Sequence, residues 1–211
     1  PSYRSICITP AENSLVASSA CPFTRYIIFL GRSEHNQSVA GMRIAVTGTP
    51  GTGKTTLCEA SKLEMQSVIG LAERHGCLGP VDSDDGAAPV DVERLIEVVD
   101  WTPSAEIILI DGHLSHLLPV DAILLIRCHP SILQSRLEKR GYSAAKVVAN
   151  VESELIGIIA AECEDLPCLE LDSASSTDSM IAALKRWVAD GFKPHQPNAA
   201  IDWIEVIHGD D

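Results

Sequence analysis

The stretch Gly48-Thr-Pro-Gly51-Thr-Gly53-Lys54-Thr55 satisfies G-x-x-x-x-G-K-[ST] in full. Glycines at these places let the backbone turn its N–H groups inward, where they can cradle phosphate oxygens. Lys54 has the reach to touch β- and γ-phosphates, and the Thr55 hydroxyl is placed to hold Mg2+. A chance match inside a Gly/Thr turn is the alternative. Its neighbours argue against that: Arg43 to Thr47 is a short apolar run suited to a buried parallel strand, and Thr55 to Met65 has helical character. A helix starting there would aim its positive N-terminus at the same anion.

A second set of groups lies downstream. In "EIILIDGHLSH", four apolar residues separate Glu106 from Asp111. An aspartate ending a buried strand in a P-loop protein is the Walker B arrangement and would hold Mg2+, directly or through water. Its other reading is a strand-end cap. His113, two residues on, could position a water or tune the metal's surroundings. His116 reads as a polar surface residue without a role. Arg136 and Arg140 in "SRLEKRGYS" stand at i and i+4, on one helix face. Two neighbouring guanidinium groups repel unless anions lie nearby. A transferring phosphoryl group is such an anion, and Glu138 or Glu162 would be the alternative partners.

These residues need elements to carry them. Gln66–Gly70 has a weak strand pattern and Leu71–His75 that of a short helix; residues 76–90 form a Gly/Pro/Asp-rich loop. Asp91 can cap a helix with Val92, Leu95, Ile96 and Val99 on one face. Glu106–Asp111 and Ala122–Arg127 have the pattern of buried strands. Pro130 opens a helix that runs toward Arg140, with Gly141 as its cap. Ser143–Cys163 has the period of one long amphipathic helix, with Val148, Val151, Leu155, Ile158 and Ile159 on one side. Cys168–Leu171 is a last strand, and Ser176 caps a final helix holding Met180, Ile181, Leu184, Trp187 and Val188. The tail after Gly191 has no clear period. Strands alternating with helices predict an α/β fold, a parallel sheet covered on both faces.

The chain has 211 residues, 45% of them apolar, which is enough for a real core. Its formal net charge of −13 disfavours direct binding to nucleic acid or an anionic membrane. No apolar run approaches transmembrane length. Seven widely spaced cysteines without a C-x-x-C pair read as reduced thiols, and the expected location is the cytoplasm. Residues 1–41 are Ser-rich, with Arg4, Arg25 and Arg32 against only Glu12 and Glu34. They read as a disordered or non-native extension, with a stray strand at Tyr26–Leu30 and the domain proper beginning at Met42.

The pieces "TGTPGTGKTT", "DGHLSHL", "LIRC", "RLEKRGYS", "NVESEL" and "IDW" together resemble the short adenylate kinase group that includes adenylate kinase isoenzyme six and its archaeal relatives. Their order and spacing fit from Met42 to about Trp203, and "GHLSHL" and "IDW" look more like the archaeal branch. The resemblance implies a P-loop NTPase fold with a five-stranded parallel sheet, an NMP-binding segment at about 68–90 and a short lid at about 139–149. The family's ATP-contacting positions carry over to Gly51, Thr52, Gly53, Lys54, Thr55, Thr56 and Arg140, and its D-x-H motif to Asp111 and His113. Arg74 in "LAER" is the candidate ligand for the NMP phosphate. Two places depart from the family: Gly70 precedes "LA", and "PVDSDDGAAPV" replaces a "YDEE"-like stretch.

The activity that the resemblance implies is Mg2+-dependent phosphoryl transfer from ATP to AMP or another nucleoside monophosphate, with ATPase activity beside it. An assembly ATPase that switches its grip on a ribosomal protein is the second reading. A kinase of a small metabolite is a third, which the lid and D-x-H motifs disfavour. The implied partner is a basic small-subunit ribosomal protein of the universal S-eleven type, in late maturation of that subunit. The acidity of this chain suits such a partner and argues against bare RNA.

Overall fold

The computed structural model describes residues 41–81, 88–101, 106–163, 165–196 and 200–208. The expectations for residues 1–40, including the strand at Tyr26–Leu30, fall outside them. The elements run β1 (Arg43–Thr47), α1 (Lys54–Ser61), β2 (Glu64–Ser67), α2 (Val68–Arg74), α3 (Val92–Val98), β3 (Ile108–Asp111), β4 (Ala122–Arg127), α4 (Pro130–Lys139), α5 (Ala144–Leu155), α6 (Ile158–Ala161), β5 (Cys168–Asp172), α7 (Thr177–Ala189) and α8 (Trp203–His208).

The five strands form one parallel sheet in the order β2-β3-β1-β4-β5. β1 is central because Ile44, Ala45 and Val46 are apolar on both faces, and all three are fully buried. One face packs α1 and α7 through Leu57, Cys58, Met180, Leu184 and Trp187. The other packs α2, α3 and the segment around α6 through Val68, Leu71, Leu95 and Cys163. Burial of each such Leu or Val contributes roughly 1.5–3 kcal/mol, an upper estimate against a compact unfolded chain. A smaller cluster of Leu133, Leu137 and Val147 joins α4 to α5. The chain leaves β1 toward β2 and leaves β4 toward β5. A crevice therefore opens between the ends of β1 and β4, where open α/β sheets bind ligands.

Several expectations need correction. The helix after the P-loop stops at Ser61, not Met65, because Lys62 takes a left-handed conformation (φ 62°) that closes it. Glu64 and Met65 then enter β2, and the next helix already begins at Val68, with the Ser67 hydroxyl accepting from Gly70 N. Of the expected α3 face, Leu95 is buried but Ile96 is exposed. The long helix at Ser143–Cys163 is two helices, broken where Gly157 turns left-handed (φ 68°). Its buried positions include Val147 and Glu154, while Val148 and Ile158 are exposed. The tail also holds a helix: Asp202 accepts from the N–H groups of Ile204 and Glu205, which starts α8. Among the described residues no helix is long and apolar enough to cross a membrane.

Candidate active site

The P-loop joins β1 to α1. Gly48 has φ 135°, and a Cβ there would lie 2.3 Å from the Ile126 carbonyl oxygen, so the loop can press against β4 only with glycine at that place. Gly51 and Gly53 also have positive φ. Lys54 is buried inside the loop, its Nζ donating to the carbonyls of Gly48 (2.8 Å) and Thr49 (3.0 Å). Burial pushes its pKa down to about 8; Asp111 pulls the other way and Arg140 adds to the fall.

The structure brings Thr55 and Asp111 together. The Thr55 hydroxyl donates to Asp111 Oδ2 at 2.6 Å. Asp111 Oδ1 is buried and has no hydrogen-bond partner. A buried carboxylate oxygen without a donor is costly, and a cation is a natural partner for it. This hydroxyl–carboxylate pair therefore fits a hard divalent ion. His113 lies at the same sheet edge, and its carbonyl accepts from the Thr47 hydroxyl. The surrounding protein, and then the charge of Lys54, hold the His113 pKa below its ordinary value.

Arg136 and Arg140 reach the P-loop from α4 and its cap. Arg136 Nη1 donates to Thr52 O (3.3 Å) and Ser173 Oγ (3.0 Å). Arg140 is exposed, and it lines a cavity with Gly51, Thr52, Gly53, Thr56, Arg136, Ser173, Ser175, Thr177 and Met180. The alternative carboxylate partners are engaged elsewhere: Glu138 accepts from Gln134, and Glu162 bonds His116. Arg74 stands apart on α2, exposed, with Nη2 donating to Gln66 Oε1. Residues 82–87 of the expected NMP-binding segment lie outside the described residues, and its flanks close by a bridge between Leu78 and Val90.

Two residues were not anticipated. His116, expected at the surface, is 7% exposed; its Nδ1 bonds Thr47 Oγ1 (2.8 Å) and its Nε2 bonds Glu162 (2.9 Å). It therefore braces the end of β1 where the P-loop begins. Glu154 is 3% exposed, and one of its carboxylate oxygens accepts from the Thr49 hydroxyl at 2.6 Å. The other accepts from Arg127 Nε, Cys128 N and Trp203 Nε1. Burial works against the Arg127 charge, but Glu154 and Glu170 outweigh it and hold its pKa above the ordinary value. "LIRC", "NVESEL" and "IDW" thus converge on one buried cluster. No local pattern marks it, because Glu154 meets Arg127, Trp203 and Thr49 across 27, 49 and 105 residues of chain.

The "Putative adenylate kinase" of Archaeoglobus fulgidus is 34% identical to this chain over 176 residues, covering 79% of this chain and 94% of that protein. The chain belongs to this archaeal "Putative adenylate kinase" family. The family member of Pyrococcus abyssi is 37% identical over 172 residues, covering 78% of this chain and 93% of that protein. That of Halobacterium salinarum is 35% identical over 175 residues, covering 79% of this chain and all of that protein. A family model described as AAA domain also matches, at residues 44–157, a stretch that runs from β1 through α5 and holds the P-loop, Asp111 and both arginines.

Proposed function

We propose that this protein is a nucleoside monophosphate kinase that transfers the γ-phosphoryl group of ATP to AMP or a related monophosphate. The observation that carries the reading is that Arg136 and Arg140 line one cavity with the P-loop residues Gly51, Thr52 and Gly53, in a chain whose loop also brings Thr55 onto Asp111. Membership of a family named for this activity supports it. In the reaction an oxygen of the acceptor's phosphate attacks the γ-phosphorus in line. The bond to the β–γ bridging oxygen breaks, and that oxygen departs with ADP. Little covalent work falls to the protein, so positioning and charge stabilisation are its contribution.

In this mechanism Lys54 leaves the Gly48 and Thr49 carbonyls and takes the β- and γ-phosphates. Arg136 and Arg140 face the charge that develops on the equatorial oxygens. The cavity between the P-loop and residues 173–177 takes the nucleoside of ATP. Thr55 and the free oxygen of Asp111 would hold Mg2+, which when bound neutralises phosphate charge. His113 orients a water in a slower ATPase reaction. Arg74 is the proposed phosphate ligand in an NMP-binding segment at 68–90, and the lid is residues 139–149. The reading places residues 42–211 in the kinase domain and the protein in the cytoplasm.

A second reading has one observation in its favour, the net charge of −13. Nucleotide turnover would then switch contact with a basic ribosomal protein of the small subunit during its maturation. ATP turnover measured with and without each NMP tests the first reading. Strong stimulation by AMP is expected, and indifference to every NMP favours the assembly ATPase.

A further inference from the structure

Thr49 is held from both ends. Its carbonyl accepts from Lys54 Nζ (3.0 Å) and from Thr52 N (3.2 Å). Its hydroxyl donates to Glu154 Oε2 at 2.6 Å, the length of a charge-assisted O–H···O⁻ bond. The oxygens of Glu154 divide the work. Oε1 takes three donors, from Arg127, Cys128 and Trp203, whereas Oε2 takes Thr49. Only a carboxylate can accept all four; a glutamine would turn an N–H group toward one of these donors. Arg127 is itself tied to Glu170 Oε1 and to the Ile201 carbonyl, so the cluster reaches from the P-loop to the chain segment before α8.

We propose that Glu154 is a positioning residue that holds the first half of the P-loop in its phosphate-binding form through the Thr49 hydroxyl, and that it couples the loop to α5 and to Trp203. The proposal rests on the phosphoryl-transfer reading for its kinetic consequence. When Lys54 turns to the phosphates, Thr49 loses the lysine's hold on its carbonyl. The turn bond from Thr52 N and the bond to Glu154 then keep Thr49 in register, and of the two only the bond to Glu154 ties it to another element. Glu154 stands one residue from the end of α5, so the helix that carries the proposed lid is fixed at its far end to the nucleotide loop. A buried, fully satisfied carboxylate is a stiff link, because breaking any one bond strands a charge or a donor away from water.

Thr49→Val tests the link without breaking the cluster. It keeps the side-chain shape, removes the hydroxyl and leaves Arg127, Cys128 and Trp203 on Glu154. The expected result is a fall in kcat for ATP plus AMP of about tenfold or more, with KM for ATP changed less than about threefold. Thr49→Ser, which restores the hydroxyl, recovers most of the rate. A second readout needs no catalysis. The chain has three tryptophans, so protein labelled with 5-fluorotryptophan gives three fluorine resonances, and Trp203→Phe assigns the one in the cluster. Addition of ADP is expected to move the Trp203 resonance in the parent. In Thr49→Val the movement is lost although ADP still binds by calorimetry.

The proposal is overturned by a kcat within about threefold of the parent in Thr49→Val, by a serine variant as impaired as the valine, or by an unchanged Trp203 response to ADP. A parent without AMP-dependent turnover would instead sink the kinase reading. The fluorine measurement would then decide the coupling alone.

Discussion

Lys54 carries the most weight at the scale of single residues. With its amine on two loop carbonyls, it holds the loop together, and the proposed mechanism also gives it the phosphates. Lys54→Met is expected to drop phosphoryl transfer below roughly 1% of the parent rate while the circular dichroism spectrum stays that of the folded chain. Its depressed pKa gives a signed consequence. Folding lowers the value from 10.5 to about 8, so between these limits the unfolded chain binds more protons. This group therefore makes the ligand-free protein more stable as pH rises through that window. ADP binding has the opposite trend, because the phosphates need the charged amine. With chelator present, ADP affinity should hold below pH about 8 and fall above it, and binding above that pH should take up protons, seen as a buffer-dependent calorimetric enthalpy. Asp111 and His113 separate by reaction. Asp111→Ala should impair every Mg2+-nucleotide reaction, whereas His113→Ala should reduce hydrolysis more than AMP phosphorylation; equal losses from His113→Ala would contradict its assignment.

At the scale of elements, the site depends on how closely the P-loop seats on β4. Gly48→Ala would place a methyl group 2.3 Å from the Ile126 carbonyl oxygen and hold a non-glycine residue at φ 135°. Nucleotide affinity is expected to fall at least about tenfold together with the melting temperature, since the loop must lift from the strand. Differential scanning fluorimetry with and without ADP reads both effects. The elements that carry chemistry were legible in the sequence because their signals are local. β1, β4 and the helix from Pro130 follow from apolar runs, a proline and a capping glycine. What was not legible depends on distant partners. β2 is polar at Glu64, Gln66 and Ser67 and is a strand because it pairs with β3 at the sheet edge. The break at Gly157 interrupts a continuous helical period, and the period hid the glycine's left-handed turn. Glu154 carries no local sign of burial, which follows from Arg127, Thr49 and Trp203, all far away in sequence. His116 was hidden in the same way, because Thr47 and Glu162 lie 69 and 46 residues from it.

At the scale of the whole molecule, the charge of −13 and the proposed two-substrate site bear on different partners. If the acidity serves a basic ribosomal protein, the association rate should fall steeply with salt while dissociation changes little, because screening beyond about 8 Å acts on the approach of the partners. Surface plasmon resonance with the purified ribosomal protein, RNA being left out, reads both rates. No complex at low salt, with and without ATP, would remove that partner, and tight binding to bare rRNA would contradict the electrostatic argument. The central claim is transfer between two nucleotides, and the reverse reaction isolates it. Phosphorus NMR of the protein with Mg2+ and ADP alone follows every phosphate at once. The account predicts that ADP disappears and that ATP and AMP appear in equal amounts, with Lys54→Met inert. Release of inorganic phosphate without formation of ATP, or ADP left unchanged, would contradict it.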